Sequence, residues 1–180
     1  NFSRGRIENL SGLEKEINLQ KLDVLDFDSL KNAINDADGI FHQAALTSVP
    51  ESFIEKTKYH SVNVVGTENI FKLAKEFSIK VVYASSSSVY GNTKLIPVKE
   101  DFGKNPINPY GITKLDDEKL AEKYHNLGVS IIGLRYFNVY GIGQTNDYAG
   151  VITKFHDSIK AERSPIIFGD GSQVRDFVFV

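Results

Sequence analysis

The stretch KVVYASSSSVYG at residues 80–91 joins a short apolar run to four consecutive serines and a turn. Residues 81–84 are apolar enough for a buried strand, and residues 85–88 bring small hydroxyl side chains to the point where that strand ends. The stretch therefore predicts one buried strand that ends in side chains able to hydrogen-bond a ligand.

Apolar runs and helix-length periodic segments alternate on both sides of this strand. We predict strands at 39–45, 80–86, 129–137 and 165–168, and helices at 52–77, 110–126 and 149–161. The first helix is expected to break near Tyr59, and segment 23–30 predicts a strand end before a short helix with Asp26 or Asp28 as N-cap. This alternation predicts right-handed βαβ units, and hence an α/β fold with a mostly parallel sheet.

The composition narrows the class of protein. The 180 residues, 41% hydrophobic and 24% charged, suit one globular domain or most of one. A formal net charge of −2 provides no basic field for nucleic acid or an anionic membrane, and no apolar run reaches the roughly 18 residues of a spanning helix. With scattered histidines, no cysteine and no visible secretory signal, we expect a cytoplasmic protein without a metal site.

Two five-residue stretches are nearly the same, YGNTK at 90–94 and YGITK at 110–114. The first follows the serine-rich strand, and its glycine and asparagine signal a turn. No helical period continues beyond Lys94, so this lysine is expected to lie in a loop.

The second stretch follows Asn108 and Pro109, which suit the N-cap and first turn of a helix. A helix there puts Tyr110 and Lys114 on one face, one turn apart. An ammonium close to a phenol favours the phenolate, which can act as a base near neutral pH. The spacing alone also fits an ordinary helix start with an exposed lysine. We favour a site, because residues 85–88 end the preceding strand, and α/β folds place their chemistry at the carboxyl ends of parallel strands.

Seven stretches, in order along the chain, are similar to those of a known family. They are LDVLDFDSL, FHQAALTSVPES, NVVGTENI, YASSSSVYG, NPYGITK, LRYFNVYG and FGDGSQVRDFVFV. Together they resemble the nucleotide-sugar 4-epimerases of the extended short-chain dehydrogenase/reductase family, of the UDP-glucose and UDP-N-acetylglucosamine type. The resemblance implies a Rossmann-like doubly wound parallel sheet, NAD as cofactor, a UDP-sugar as substrate, and a homodimer formed through the helices bearing Asn63 and Tyr110. Ser86, Tyr110 and Lys114 are similar to the family's catalytic Ser/Tyr/Lys triad.

The resemblance also implies binding roles. The cofactor contacts are Asp23 and Val24 at the adenine; Ala44, Ala45 and Thr47 along the pyrophosphate and nicotinamide; Asn63 as support; Ala84 and Ser85 behind the nicotinamide; Tyr110 and Lys114, the latter on the ribose; and Tyr136 and Phe137 near the nicotinamide. The substrate contacts are Ser86 and Tyr110 at the sugar, Asn138 and Arg175 at the diphosphate, and Val151 and Phe168 at the uridine. An arginine fork suits a diphosphate through bidentate hydrogen bonds, whereas an ion pair with Asp170 or Asp176 is the structural alternative.

The implied reaction is a transient oxidation at carbon 4. Tyr110, assisted by Lys114 and Ser86, removes the 4-hydroxyl proton while hydride passes to NAD. The 4-keto sugar then turns about its diphosphate, and the hydride returns to the other face. Ser87 and Ser88 stand where related 4,6-dehydratases carry an Asp-Glu pair and decarboxylases a glutamate, which favours an epimerase. A uronate epimerase, those two relatives and a non-catalytic NAD-binding sensor stay open as alternatives.

The chain departs from the family pattern in one motif. The Gly-rich loop G-x-x-G-x-x-G is absent, and GIGQTN at 141–146 is not expected to replace it because it opens no clear helix. We therefore expect an excerpt of a longer protein that binds NAD poorly by itself. Residues 1–140 would be a partial NAD-binding domain and residues 141–180 the start of the nucleotide-sugar-binding region, without the C-terminal substrate lobe.

Overall fold

The computed structural model describes residues 1–93, 96–144 and 150–180, and the chain forms two compact units. Unit 1 is Asn1–Arg135 and unit 2 is Tyr136–Val180. The chain divides after Arg135, slightly before the boundary predicted after residue 140. The cofactor and substrate roles assigned to the two regions stay predictions.

A three-stranded sheet runs through unit 1. Its strands are β1 (Gly39–His42), β2 (Lys80–Ser86) and β3 (Ile131–Tyr136), in the order β1-β2-β3. β1 and β2 run parallel, with Gly39 opposite Lys80 and His42 opposite Tyr83. The predicted parallel pairing is confirmed, and the carboxyl ends of β1 and β2 lie side by side.

Helices connect these strands. They are α1 (Phe27–Ile34), α2 (Val49–Ile54), α3 (Lys56–Tyr59), α4 (Gly66–Phe77) and α5 (Pro109–Asn126), with a π-helical segment at His60–Val65. The single helix predicted at 52–77 is thus divided, with a break at Glu55 and a π-helical insertion directly after Tyr59. π-Helical segments are frequent at functional sites, and this one contains Asn63.

The starts of α1 and α5 follow from their capping residues. Asp26 Oδ1 accepts a hydrogen bond from Ser29 N at 3.1 Å, as the N-cap role predicts. Asn108 Oδ1 accepts one from Gly111 N at 2.8 Å, and Pro109 occupies the first helical turn. Both predicted helix starts are confirmed, which fixes Tyr110 in the first turn of α5.

The hydrophobic core of unit 1 lies between β1, β2 and helices α1, α4 and α5. Phe71 is fully buried on α4, and its ring meets Tyr83 of β2 edge-on with centroids 5.5 Å apart. Phe71 also contacts Tyr124 of α5, at 5.9 Å between centroids. These aromatic contacts hold α4 and α5 against the sheet, so the first turn of α5 has a fixed position next to the end of β2.

Unit 2 contains a two-stranded parallel sheet and one helix. The strands are β4 (Asn138–Tyr140) and β5 (Phe177–Phe179), and the helix is α6 (Val151–Lys160). The strand predicted at 165–168 is wrong, since this segment has no regular structure and Phe168 is 80% exposed. The strands that pair in this unit are β4 and β5. In the described residues, no helix combines the length and the apolar character needed to cross a bilayer.

Candidate active site

Tyr110 is fixed through its main chain at the start of α5. Its N–H donates to Ser52 Oγ at 3.2 Å, and its carbonyl accepts from Thr113 Oγ1 at 2.7 Å. Ser52 is itself buried on α2 and donates to Val49 O at 2.6 Å. The Tyr110 side chain is half-buried. Two helices therefore hold the backbone of this residue while its phenol keeps access to solvent.

Lys114 lies one helical turn after Tyr110, as predicted, but it is not an exposed lysine. Only 3% of the residue is accessible. Its Nζ donates to Ala84 O at 3.0 Å and to Asp117 Oδ2 at 3.0 Å. Lys114 is therefore a buried cation held at the carboxyl end of β2, and the alternative of an ordinary surface lysine is excluded.

The serines at the end of β2 have separate environments. Ser86 is buried at the last position of the strand, and its Oγ accepts from Ser88 N at 3.1 Å. Ser85 is also buried, but its Oγ donates to Glu118 Oε1 at 2.7 Å. A Cβ on Gly111 would lie 2.8 Å from Ser88 O, so the absence of a side chain there lets α5 pack directly on the serine turn. The candidate hydroxyl of Ser86 and the first turn of α5 thus belong to neighbouring, contacting segments.

Asn63 joins three segments of unit 1. Its Oδ1 accepts from Leu46 N at 2.8 Å, and its Nδ2 donates to Leu46 O at 3.0 Å and to Thr113 Oγ1 at 3.0 Å. The residue is fully buried. Because each of these side-chain atoms is used, Asn63 positions the loop after β1 relative to α5, which suits the supporting role predicted for it.

The remaining residues predicted at the cofactor lie at strand ends and along the chain before α1. Ala44 and Thr47 are exposed and Ala45 is half-buried in the loop after β1, while Ala84 is half-buried near the end of β2. Asp23 Oδ1 accepts from Leu25 N at 2.9 Å. The Asp23 carboxylate also accepts a hydrogen bond from the Asn1 side-chain amide.

Val24 is half-buried and packs close to α4. Its carbonyl accepts from Asn69 Nδ2 at 3.0 Å, and its side chain lies 2.6 Å from the position of a Cβ on Gly66. Val24 is therefore fixed by α4, which holds the segment that contains Asp23.

The predicted substrate residues of unit 2 line one cleft of about 580 Å³. Asn138, Val151, Phe168 and Arg175 all contribute to its wall, together with apolar residues that include Phe155. Asn138 Nδ2 donates to Asp176 O at 2.8 Å, and Arg175 Nη1 donates to Val174 O at 2.9 Å. Within the described ranges, no ion pair joins Arg175 to Asp170 or Asp176, so the structural alternative for this arginine is not observed. Tyr136, by contrast, is an exposed residue at the end of β3, outside the cleft lining.

Sequence reasoning missed a buried polar cluster behind Lys114. Asp117 is fully buried on α5, and burial raises its pKa to about 6 against the opposing effects of Lys114 and the Thr67 hydroxyl. His42 is buried at the end of β1, where its Nε2 lies 2.9 Å from Thr67 Oγ1. Burial first, and then Lys114, lower the pKa of His42 to about 4, so the ring is neutral at physiological pH. One signal was available in the sequence, because an acid three residues after Lys114 shares its helix face.

A second missed cluster surrounds Glu118. Arg135 donates to both carboxylate oxygens, at 2.7 Å and 2.9 Å, and Lys104 Nζ lies 2.9 Å from Oε2. Burial acts to raise the pKa of Glu118, but the hydrogen bonds from Arg135, Ser85 and Lys104 outweigh it and lower the pKa to about 2. This cluster holds α5, β2 and β3 together directly beside the candidate site.

Tyr90 belongs to this second cluster. It is buried, and its hydroxyl accepts from Arg135 Nη1 at 2.6 Å. It ends a short 3₁₀ turn (Ser87–Tyr90), and Gly91 after it has φ of +64°. The predicted turn at this tyrosine is confirmed. Lys94 and residues 145–146 of GIGQTN lie outside the described residues.

The chain matches the family described as "NAD dependent epimerase/dehydratase family" over residues 1–180. It is 39% identical over 186 aligned residues to a putative UDP-glucose 4-epimerase of Methanocaldococcus jannaschii, which covers 100% of the chain and 60% of that protein. The structure is similar to UDP-N-acetylglucosamine 4-epimerase from Methanobrevibacter ruminantium M1 in complex with UDP-N-acetylmuramic acid. The TM-score is 0.95 with 38% identity, over 99% of the chain and 59% of that protein.

It is also similar to UDP-glucuronic acid 4-epimerase from Bacillus cereus in complex with UDP-glucuronic acid and NAD. The TM-score is 0.86 with 34% identity, over 96% of the chain and 55% of that protein. The chain therefore spans little more than half the length of these relatives. The Rossmann-like fold that the sequence predicts is confirmed by this similarity.

Proposed function

Because the chain belongs to the NAD dependent epimerase/dehydratase family, we propose that the protein inverts carbon 4 of a UDP-hexose through a transient 4-keto sugar, with NAD as cofactor. The observation that carries the proposal is the buried Lys114, one helical turn after Tyr110 on a helix that packs on the serine turn after β2. A buried cation beside a phenol and a hydroxyl suits removal of a proton from a sugar alcohol.

The residues of unit 1 have distinct roles in this reaction. Tyr110 takes the proton of the 4-hydroxyl as general base and returns it after inversion. Ser86, at the end of β2, hydrogen-bonds the reacting oxygen. Lys114 lies one helical turn from Tyr110, on the face from which an ammonium can stabilise the phenolate formed in the reaction.

The N–H groups of Lys114 suit a hydrogen bond to the nicotinamide ribose. An ammonium has three N–H donors, and the bonds to Ala84 O and Asp117 Oδ2 account for two of them. A ribose hydroxyl would take the third. Ala44, Ala45 and Ala84 are small residues at the ends of β1 and β2 and leave their backbone approachable. NAD, when bound, supplies the acceptor and donor of the hydride.

The cleft of unit 2 supports the proposal that the substrate carries a nucleoside diphosphate. An arginine and an asparagine amide, from Arg175 and Asn138, accompany the apolar walls formed by Val151 and Phe168. A guanidinium fork suits two phosphate oxygens, and apolar side chains suit the faces of a base. We assign the diphosphate to the polar pair and the uridine to the apolar residues.

A 4-epimerase is favoured over a dehydratase or decarboxylase by the turn after β2. Ser87 and Ser88 occupy a 3₁₀ turn, and neither is a carboxylic acid that could act as a second acid–base group. Inversion at carbon 4 needs no such second group. A uronate 4-epimerase remains the second candidate, because the similar Bacillus cereus enzyme binds UDP-glucuronic acid.

We also propose that the protein works as a cytoplasmic homodimer. Support comes from apolar side chains exposed on the π-helical segment and α5, with Val65 at 40% and Ile112 at 48% exposure. Sedimentation velocity of the intact protein measures the mass in solution. A dimer that becomes a monomer in Ile112→Lys is expected, and a wild-type monomer at micromolar concentration would contradict the dimer.

Proton NMR tests the proposed activity directly. The intact protein is incubated with NAD and, separately, with UDP-N-acetylglucosamine, UDP-glucose and UDP-glucuronic acid. The coupling between H3 and H4 distinguishes an equatorial from an axial 4-hydroxyl, so the epimer is identified in the mixture. Formation of a galacto product from one of these sugars is expected. A 4-keto-6-deoxy product or a pentose product would overturn the assignment in favour of a dehydratase or a decarboxylase.

A further inference from the structure

Asp117 is the most enclosed acidic side chain of unit 1 and the partner of the proposed catalytic lysine. The residue has 0% exposure, and its Oδ2 lies 3.0 Å from Lys114 Nζ. Within the described residues, its Oδ1 is the one buried side-chain polar atom without a hydrogen bond. A buried carboxylate with an unsatisfied oxygen is costly, and Lys114 and the Thr67 hydroxyl are the groups that lower its pKa against the effect of burial.

The groups around Asp117 come from four elements. Lys114 and Asp116 on α5, Thr67 on α4 and Tyr83 on β2 interact with it directly, and His42 on β1 contacts Thr67 and interacts with Lys114. His42 is neutral at physiological pH. Burial, followed by Glu118 and Asp117, raises the pKa of Tyr83, so this phenol is neutral as well. Lys114 is therefore the cation that Asp117 faces, and the two charges form a nearly isolated pair.

The order of charges along α5 determines the electric field at Tyr110. Asp117 lies seven residues after Tyr110, about 10 Å along the helix axis, with Lys114 between them. Lys114 is one turn from Tyr110 and Asp117 is two turns away, so the field of the carboxylate at Tyr110 opposes that of the ammonium and is the weaker of the two. Because the pair is buried, water screens neither charge well.

We propose that Asp117 is a positioning residue that acts through Lys114. Its carboxylate fixes the ammonium at Ala84 O and offsets part of the ammonium's field at Tyr110, so the charge of Asp117 helps to set the pH at which Tyr110 becomes a base. This role rests on the proposed function. Burial raises the pKa of Asp117 to about 6, so the carboxylate is charged above that pH.

The matched variants are Asp117→Asn and Asp116→Asn. Asp117→Asn removes the negative charge but keeps an oxygen for Lys114, whereas Asp116 is the adjacent acid and pairs with Lys119 at the surface, at 2.8 Å. The pH dependence of kcat is measured for the intact holoenzyme and both variants. The acid limb of the profile is expected to move to lower pH by roughly one unit in Asp117→Asn and to stay in place in Asp116→Asn. Superimposed profiles for wild type and Asp117→Asn would overturn the role.

A second readout does not depend on epimerase activity. The protein is labelled with ¹³C at the tyrosine ζ carbon, and the resonance of Tyr110, assigned with Tyr110→Phe, is titrated without substrate. The pH at which Tyr110 loses its proton is expected to be lower in Asp117→Asn than in wild type. An unchanged titration overturns the inference even where the enzyme is active. A changed titration together with no epimerase activity on any UDP-hexose supports the coupling and contradicts the proposed function instead.

A carboxyl NMR titration of the wild-type protein tests the proposal without any variant, so it does not depend on whether Asp117→Asn folds. The Asp117 carboxyl carbon is expected to titrate near pH 6, well above an exposed aspartate. A carboxyl carbon that stays protonated above pH 8 would mean that Asp117 carries no charge where Tyr110 acts as a base, and the proposed effect of its charge would be wrong.

Discussion

Tyr90 and Tyr110 begin nearly identical stretches of sequence but lie in different surroundings. Tyr90 ends a 3₁₀ turn and is buried, and its hydroxyl accepts a hydrogen bond from Arg135 Nη1 at 2.6 Å. The Arg135 guanidinium also lies 4.9 Å from the centre of its ring. Tyr110 lies in the first turn of α5, is fixed through its main chain, and keeps its phenol partly exposed.

The difference shows that secondary structure decides what Tyr-x-x-x-Lys can do. A helix brings Lys114 to the same face as Tyr110 and buries it at the end of β2. At Tyr90 the chain turns away at Gly91, and the phenol is used to hold the Arg135 cluster. Tyr110 is therefore the proposed general base, and Tyr90 supports the scaffold.

The largest expected effect is on kcat, which should fall far more when Tyr110 is replaced than when Tyr90 is replaced. Tyr110→Phe should lower kcat by roughly 10³-fold, because it removes the proposed general base. Tyr90→Phe should change kcat by less than about tenfold and cost about 1–2 kcal/mol of stability, the loss of one hydrogen bond to a charged group. Initial rates by proton NMR and urea unfolding measure both. Equal losses of kcat in the two variants would remove the distinction drawn between them.

The second comparison is between Lys114 and Lys94, the lysines of the two stretches. Lys114→Met should lower kcat by roughly 10²-fold, since the phenolate loses its nearby cation. It should also destabilise the protein by about 3 kcal/mol, because Asp117 is left buried without its partner. Lys94→Met is the matched control in YGNTK and should leave kcat unchanged. An equal effect of Lys94→Met would show that the first stretch also takes part in the reaction.

The glycine that follows Tyr90 is expected to affect stability, and Gly103 provides a control. Gly91 has φ of +64°, and an added Cβ would lie 1.9 Å from Asn105 O. Gly91→Ala should therefore lower the free energy of unfolding by about 2–4 kcal/mol. Gly103→Ala is the control, because nothing lies within 4 Å of its Cβ position. Urea midpoints compare the two variants, and similar midpoints would show that the turn at Tyr90 can relax without cost.

The last effect is confined to acidic pH and concerns the stability of the scaffold around Tyr90. The pKa of Glu118 is lowered to about 2, below its ordinary value of 4.5. Its contribution is therefore fully present above about pH 4.5 and is lost as the pH falls towards 2. The free-energy difference between wild type and Glu118→Gln should shrink by about 3 kcal/mol over that range, measured by urea unfolding. A difference that stays constant with pH would contradict the lowered pKa.

Several elements were predictable from local sequence. β2 was predicted at 80–86 and is observed at Lys80–Ser86, because an apolar run ends at polar serines. α5 was predicted at 110–126 and is observed at Pro109–Asn126, because Asn108 caps it. The strand predicted at 165–168 failed, since an apolar run becomes a strand only where a neighbour can pair with it.

The candidate site was predictable only where its residues share one helix or one strand end. Spacing predicted Tyr110 and Lys114 on one helix face, the strand end indicated residues 85–88, and the family resemblance selected Ser86 among them; their catalytic roles stay predictions. The partners of Lys114 and Tyr90 come from other segments, and no short pattern in the sequence joins His42 to Thr67 or Arg135 to Tyr90. Such contacts depend on tertiary packing, so they become visible only in the structure.

The central claim is that Tyr110 serves a transient oxidation at carbon 4. The most direct measurement follows deuterium placed at carbon 4 of the accepted UDP-hexose, with the product analysed by NMR in ordinary water. The account predicts an epimer that retains the deuterium at carbon 4, formed by wild type and Tyr90→Phe but not by Tyr110→Phe. An epimer that carries hydrogen from water at carbon 4, or an equally active Tyr110→Phe, would contradict it.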